Sequence, residues 1–212
     1  LLQNAEKAID DGANLLILSD RDVDAAHAPI PMALAVGAVH HHLIRVGKRM
    51  RASIVCDTGD VWDVHQAAVL IGYGAAAVHP YLALAVARSF AGSRAAGELT
   101  PDHLAKNYVK QLESGLLKIM SKMGISTLAS YQGAQLFEIL GLSQEVVDEF
   151  FTGTPSRLGG LGLAGIAERA LARHAAAFQQ PVDKLPDWGF VRFRKDGEYH
   201  AFSPTNVRAL QQ

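Results

Sequence analysis

Cysteine is almost missing. Cys56 is the one thiol in 212 residues, so no intrachain disulfide can form. A lone cysteine inside an apolar, strand-like run suits a reducing compartment, and a cytoplasmic location is expected. Long hydrophobic runs are missing too: nothing approaches the ~20 apolar residues that span a bilayer, and no basic start with an apolar core opens the chain. A soluble protein without a membrane partner is expected. Charge of one sign is also lacking, since 20 Lys and Arg offset 21 Asp and Glu for a formal net charge of -1. With no basic run there is no electrostatic footprint for nucleic acid.

What remains is an ordinary globular composition, 49% hydrophobic and 19% charged, which argues against disorder. A chain of this length can bury a sizeable core. Residues 5–11 read as the end of a helix stopped by Gly12, and residues 15–18 as a fully buried strand ending at Ser19, Asp20 and Arg21. An apolar helix over 32–46 follows, then a strand over 53–56 ending at Asp57, Thr58 and Gly59. A helix over 62–71 leads to a very short strand, 76–78, that runs into His79 and Pro80, and a helix over 81–90 follows. Strands separated by helices of ten to fifteen residues imply parallel pairing with right-handed crossovers. The fold class expected is α/β, a parallel sheet flanked by helices, with a partial (β/α) barrel as the alternative.

Thr100 and Pro101 supply a cap and a first residue for a helix whose apolar face is Leu104, Tyr108, Leu112, Leu116 and Met120, ended by Gly124. Residues 125–128 read as a short strand and 131–140 as a helix closed by Gly141, an α-β-α unit. Beyond it come a short helix over 143–151, a Gly-rich connection over 152–165, an amphipathic helix over 166–178 and an extended linker over 179–188. Residues 190–193 and 199–202 flank Asp196 and Gly197 as a hairpin, and Ser203 with Pro204 starts a last helix. No internal repeat is visible.

Parallel layers place ligands at the carboxyl ends of strands, which singles out Asp20 and Arg21, Asp57 and Thr58, His79, and Ser126 with Thr127. The competing role for Asp20, Asp57 and Ser126 is to cap the segments that follow. His40, His41 and His42 are adjacent on a helix and point about 100° apart, so no metal site is expected from them; one should be buried and hydrogen-bonded, the others wet. Gly160, Gly162 and Gly165 satisfy the dinucleotide spacing GxGxxG, but TGTPSRL before them is not a hydrophobic strand, so a flexible connection is expected. Lys118 and Lys122 fit a solvated helix face.

The stretches GLLKIMSKMGISTLASYQGAQLFEILGL and VVDEFFTGTPSRLGGLGL closely resemble the glutamate synthases, at the end of their central domain. So do LLILSDRDVDAAHAPIPMALAVGAVHHHLIR, VHQAAVLIGYGAAAVHPYLA and RFRKDGEYHAFSPTNVRALQQ, in the same order across nearly the whole chain. The resemblance implies a large enzyme in which a glutaminase releases ammonia, a tunnel carries it to an FMN barrel, and reduced FMN converts an iminoglutarate to glutamate. An iron–sulfur cluster in that enzyme passes electrons from NADPH or ferredoxin.

The family's glutaminase needs a nucleophilic amino-terminal Cys, whereas this sequence begins with Leu1, and its cluster needs three Cys where only Cys56 is present. No catalytic residue is therefore carried over, and the segment alone is expected to be inactive and to bind no cofactor. Because the sequence opens on LLQNAEKAIDDG and stops at RALQQ within a helix-like stretch, it is expected to be a piece of a longer chain. The expected division is a central domain over residues 1–157, a helical linker over 158–189 and the start of the FMN domain over 190–212. Candidate binding or domain-interface residues are Asp20, Arg21, Asp57, His79, Gly124, Ser126, Thr127 and Ser130. The partners implied are the glutaminase and FMN domains, with a small NADPH-oxidising subunit or ferredoxin. A free-standing small-molecule binding module is the alternative.

Overall fold

The computed structural model describes residues 1–179, 187, 189 and 192–212. It forms two compact units, Leu1–Ala175 and Ala176–Gln212. In the first unit, β1 (Leu15–Ser19), β2 (Ser53–Asp57) and β3 (Ala75–His79) lie side by side in chain order. All pairings are parallel, with Leu15 opposite Ser53, Ile17 opposite Val55 opposite Ala77, and Ser19 opposite Asp57 opposite His79. Parallel neighbours need crossovers, and α2 (Met32–Arg45) and α3 (Val64–Gly72) supply them.

Val36, Val39 and Leu43 of α2 are fully buried in one cluster with Ile54 and Cys56 of β2, joined by Leu16 and Leu18 of β1 and by Ile9 of α1 (Leu2–Asp10). The opposite face of the sheet is open. Leu15 and Ile17 are 49% and 62% exposed, so β1 alternates instead of being buried throughout as expected: helices cover one side of it only.

Local signals account for most element ends. Asp63 and Gln66 form a capping box that starts α3. α4 (Tyr81–Ser89) follows β3 directly. α5 (Pro101–Lys122) begins at the Thr100 cap with proline in its first turn, and Gly124, at φ 70°, takes the left-handed conformation just past its end. The expected apolar face holds: Met120 is buried and Leu104, Tyr108, Leu112 and Leu116 are half-buried.

The stretch after α5 differs from expectation. Residues 125–128 form no strand, because the Thr127 hydroxyl accepts from the backbone of Ser130 and caps a single helical turn, α6 (Leu128–Tyr131). The helix expected over 131–140 does not form either. Gly133 and Gln135 have φ values of 70° and 54°, the Gly133 N–H donates to the Gly72 carbonyl, and the chain then enters β4 (Ile139–Leu142). After α7 (Gln144–Phe150), β5 (Ser156–Leu161) pairs in parallel with β4, and α8 (Leu163–Gln179) follows.

The expected Gly-rich connection is thus a strand. Gly160 lies against the Gly141 backbone where no Cβ would fit, so those glycines serve a close strand approach. Among the described residues the strands number three in one sheet and two in another, where a single layer of four was expected.

In the second unit, α9 (Pro204–Gln211) starts at the expected Ser203 cap. Asp196, at φ 63°, makes the expected turn, with the Gly197 N–H on the Arg194 carbonyl. Residues 190 and 191 of the expected hairpin, and most of the 179–188 linker, lie outside the described residues; 199–202 form no strand.

Candidate functional site at the strand ends

The carboxyl ends of β1, β2 and β3 bring four of the candidate residues together. Asp57, the last residue of β2, sits at the centre. Its Oδ2 accepts from Arg21 Nε at 2.6 Å and from Ser19 Oγ at 2.9 Å, and its Oδ1 accepts from Arg21 Nη2 at 3.1 Å. His79 Nδ1 is 2.7 Å from the same Oδ1. The Arg21 guanidinium lies 4.2 Å from the centre of the Tyr81 ring, a cation–π contact. Beside this group, Asp20 Oδ2 accepts from the fully buried Thr58 hydroxyl at 2.6 Å, and its Oδ1 from the Gly59 N–H at 3.0 Å. Asp60 in turn accepts from the Met32 N–H at the start of α2.

Charge follows this geometry. Partial burial works against ionising Asp57, but hydrogen bonds from Arg21, His79 and Ser19 outweigh it and bring the carboxyl down to about 2. Burial, then the hydrogen bond and charge of Asp20, pushes Tyr81 up to about 12. Asp57 therefore stays ionised with its lone pairs occupied and Tyr81 stays neutral, so neither is poised for proton transfer near neutral pH. The network ties the loop after β1 to the ends of β2 and β3: Asp57 accepts from the side chains of Ser19, Arg21 and His79, and Asp20 accepts across the sheet from Thr58 and Gly59, so neither contact set caps the segment that follows its own residue.

Gly124, Ser126, Thr127 and Ser130 are not in this group. α6 lies at the amino ends of the strands: Gln132 Nε2 donates to the Ala75 carbonyl at 2.7 Å, and Ala129 and Gln132 line a hollow with Asn14, Ala52 and Ser53. Ser126 and Thr127 were placed at a carboxyl strand end because 125–128 read as a strand; with no strand there, they fall at the other edge. Thr127 and Ser130 are 2.8 Å apart, hydroxyl to hydroxyl.

Sequence patterns missed a clamp at that edge. Arg49 Nε donates to His40 Nδ1 at 2.9 Å, and its two terminal nitrogens donate to the Ala52 and Gly74 carbonyls at 2.8 Å each. Burial first, then the charge of Arg49 and the neighbouring His41, brings His40 down to about 4. His41 bonds the Gly37 carbonyl and His42 bonds Glu6, so all three histidines are half-buried and hydrogen-bonded where two were expected wet. The His40–Arg49 pairing crosses a helix end and a turn, and no periodicity announces it.

An iron–sulfur cluster does not fit, since Cys56 is fully buried and its thiol is pushed up to about 12 by burial and by Asp20. Among the described residues no group of three or more His, Cys, Asp or Glu could hold a metal, and no helix is long and apolar enough to cross a membrane.

The glutamate synthase central domain matches residues 1–143. This chain belongs to that family. The central-domain segment is 46% identical to the ferredoxin-dependent glutamate synthase of Pyropia yezoensis, covering 100% of this chain and 15% of that one. It is 44% identical to the NADPH glutamate synthase large chain of Bacillus subtilis, again over 100% of this chain and 14% of the relative. Against the chloroplastic ferredoxin-dependent enzyme of Oryza sativa subsp. japonica, identity is 45%, with the same 14% share. The segment thus spans about one-seventh of the length of these relatives. Its fold is similar to the flavin-binding domain of baker's yeast flavocytochrome b2, with a TM-score of 0.50 at 13% identity, over 88% of this chain and 40% of that one.

Proposed function

We propose that this central-domain segment is a structural connector within a glutamate synthase, the enzyme that converts glutamine, 2-oxoglutarate and a reductant to two glutamates in ammonia assimilation. The observation that carries this is identity of 44–46% sustained over the whole chain while spanning 14–15% of each synthase. The strand-end geometry supports it, because Arg21, Ser19 and His79 occupy both oxygens of Asp57 and tie the loop after β1 to the ends of β2 and β3.

The chemistry then belongs to parts outside the segment: a glutaminase, an FMN centre and an iron–sulfur cluster, reduced by a small NADPH-oxidising subunit or by ferredoxin. The segment's contribution is positional. It holds two centres in register so that ammonia passes between them without loss, and alone it is inactive. Residues 1–157 are the connector body, 158–189 the link and 190–212 the start of the flavin domain, in a cytoplasmic enzyme.

Replacing Asp57 by Asn in the intact synthase tests this. Glutamate formation from added ammonia should stay within about threefold, while the share of glutamine-derived ammonia that reaches glutamate falls. A loss of about 100-fold or more with added ammonia would place Asp57 in the chemistry and overturn the connector role.

A further inference from the structure

One hollow in the first unit is lined by groups with bonding capacity left over. It lies where the second half of α2, the end of α3, residues 133–137 and residues 152–154 meet, and its volume is about 300 Å³. That is the lower end of the range for small-ligand pockets. Ile44, Leu136, Phe137 and the Tyr73 ring give it apolar walls, into which His40, His41, Gln135 and Thr154 bring polar groups. Apolar walls with a few convergent polar groups are how sites for small organic ligands are made.

Counting hydrogens shows what such a hollow accepts. The hydroxyls of Tyr73 and Thr154, residues only 9% and 7% exposed, share a single hydrogen bond of 2.9 Å. Two hydroxyls hold two protons and that bond uses one, so the other O–H has no acceptor among the described residues. Leaving a buried O–H without an acceptor is costly, and the hollow that both residues line is where one can be supplied. His40 gives a second donor. The Arg49 guanidinium has only protons to offer, so His40 Nδ1 is the lone-pair nitrogen and Nε2, away from Arg49, carries the hydrogen. That N–H also has no partner among the described residues.

The charge nearby is of one sign. Arg45 donates to the Glu149 carbonyl, and Arg49 to His40 and to two carbonyls, so no carboxylate neutralises either among the described residues. Burial first, with these two cations adding to it, keeps His40 and His41 neutral, so neither ring adds a competing proton. At the exposed rim Gln135 is held at φ 54°, a left-handed conformation that costs a non-glycine residue energy, and its carboxamide lies over Gly153 where no Cβ would fit.

We propose that this hollow binds a small carboxylate with an apolar body, whose oxygens take the hydrogens of His40 Nε2 and of the Tyr73–Thr154 hydroxyl pair while its body lies on Ile44, Leu136 and Phe137. Two unused donors select an acceptor group, and two unneutralised guanidinium groups select an anion over a neutral one. The site is separate from the strand-end group and independent of the connector role.

Benzoate is the probe, titrated by calorimetry into the full-length synthase with 2-oxoglutarate saturating and no reductant. Saturable binding with a Kd below about 1 mM is expected. Benzamide, of the same shape without the charge, should bind at least ~10-fold more weakly. Ile44→Trp, at a wall position that is half-exposed, should fill the hollow and weaken benzoate at least ~10-fold. Hydrogen exchange needs no variant: peptides holding 133–137 and 152–154 should exchange at least ~3-fold more slowly with benzoate saturating. Absence of saturable binding, an unchanged Kd in folded Ile44→Trp, or unchanged exchange in both peptides would each overturn the site. Benzamide binding as tightly as benzoate would overturn the carboxylate as its ligand.

Discussion

Alternate residues of β1 meet opposite environments. Leu16, Leu18, Ile54 and Cys56 are at most 8% exposed beneath the helical layer, whereas Leu15 and Ile17, chemically equivalent to their neighbours, are 49% and 62% exposed. The difference lies in the cover: the helical layer packs on one face of the sheet, and the apolar side chains of β1 that point the other way stay exposed. Side-chain identity on a strand reports the environment of the complete protein, and exposure reports what the local chain can reach.

The comparison can be broken most directly by truncation on either side of it. Ile54→Ala removes a fully buried side chain and should cost the segment about 3 kcal/mol, whereas Ile17→Ala should change stability by less than about 0.5 kcal/mol. Urea unfolding of both variants checks this, and equal losses would mean that the open face is covered within the segment itself.

A second test attacks the helical cover. Gly37 of α2 faces the Phe150 carbonyl and the Phe151 ring, with no room for a Cβ against the backbone oxygen. Gly37→Val should therefore push α7 off α2 and cost about 2 kcal/mol or more, measured as a lowered unfolding midpoint. An unchanged midpoint would show that this cover is loose.

Acid titration separates the two sides without mutation. His40, within the helical layer, has a folded value of about 4, below its ordinary 6.5. The unfolded chain thus binds more protons between these values, and stability should fall as pH drops through the window from about 6.5 to 4. Asp57, at the rim of the open face, is lowered from 3.8 to about 2. Its contribution is full above 3.8 and lost only as pH falls toward 2. His40→Gln should flatten the upper window and Asp57→Asn the lower one in pH-dependent thermal unfolding.

A small effect is also expected at Tyr131, whose hydroxyl is buried without a hydrogen-bond partner among the described residues. Tyr131→Phe should leave stability within about 1 kcal/mol or raise it, since no bond is lost; a larger drop would reveal a partner for the hydroxyl.

Elements with local signals were legible. The cap and proline of α5, the Ser203 cap of α9, and the apolar runs of β1, β2 and β3 are written in adjacent residues. The stretch 125–161 was not. Thr127 has the β-branched look of a strand residue and works as a cap, and the glycines around 160 look like a flexible loop and serve β-pairing against Gly141. Both outcomes depend on partners remote in sequence. The candidate site split along the same line: Asp20, Arg21, Asp57 and His79 converge because three strands end in register, while Ser126 and Thr127 fall at the opposite edge once their strand is gone.

By itself, the sequence determined the parallel α/β class and the family resemblance, because composition, local caps and apolar periodicity act over a few residues. Only the tertiary structure decided which strand face is covered, that Asp57 is saturated by Arg21, Ser19 and His79, and that Arg49 clamps His40. Those depend on register and on contacts across tens of residues, where free energy comes from burial and charge pairing between segments that carry no record of each other in their local pattern.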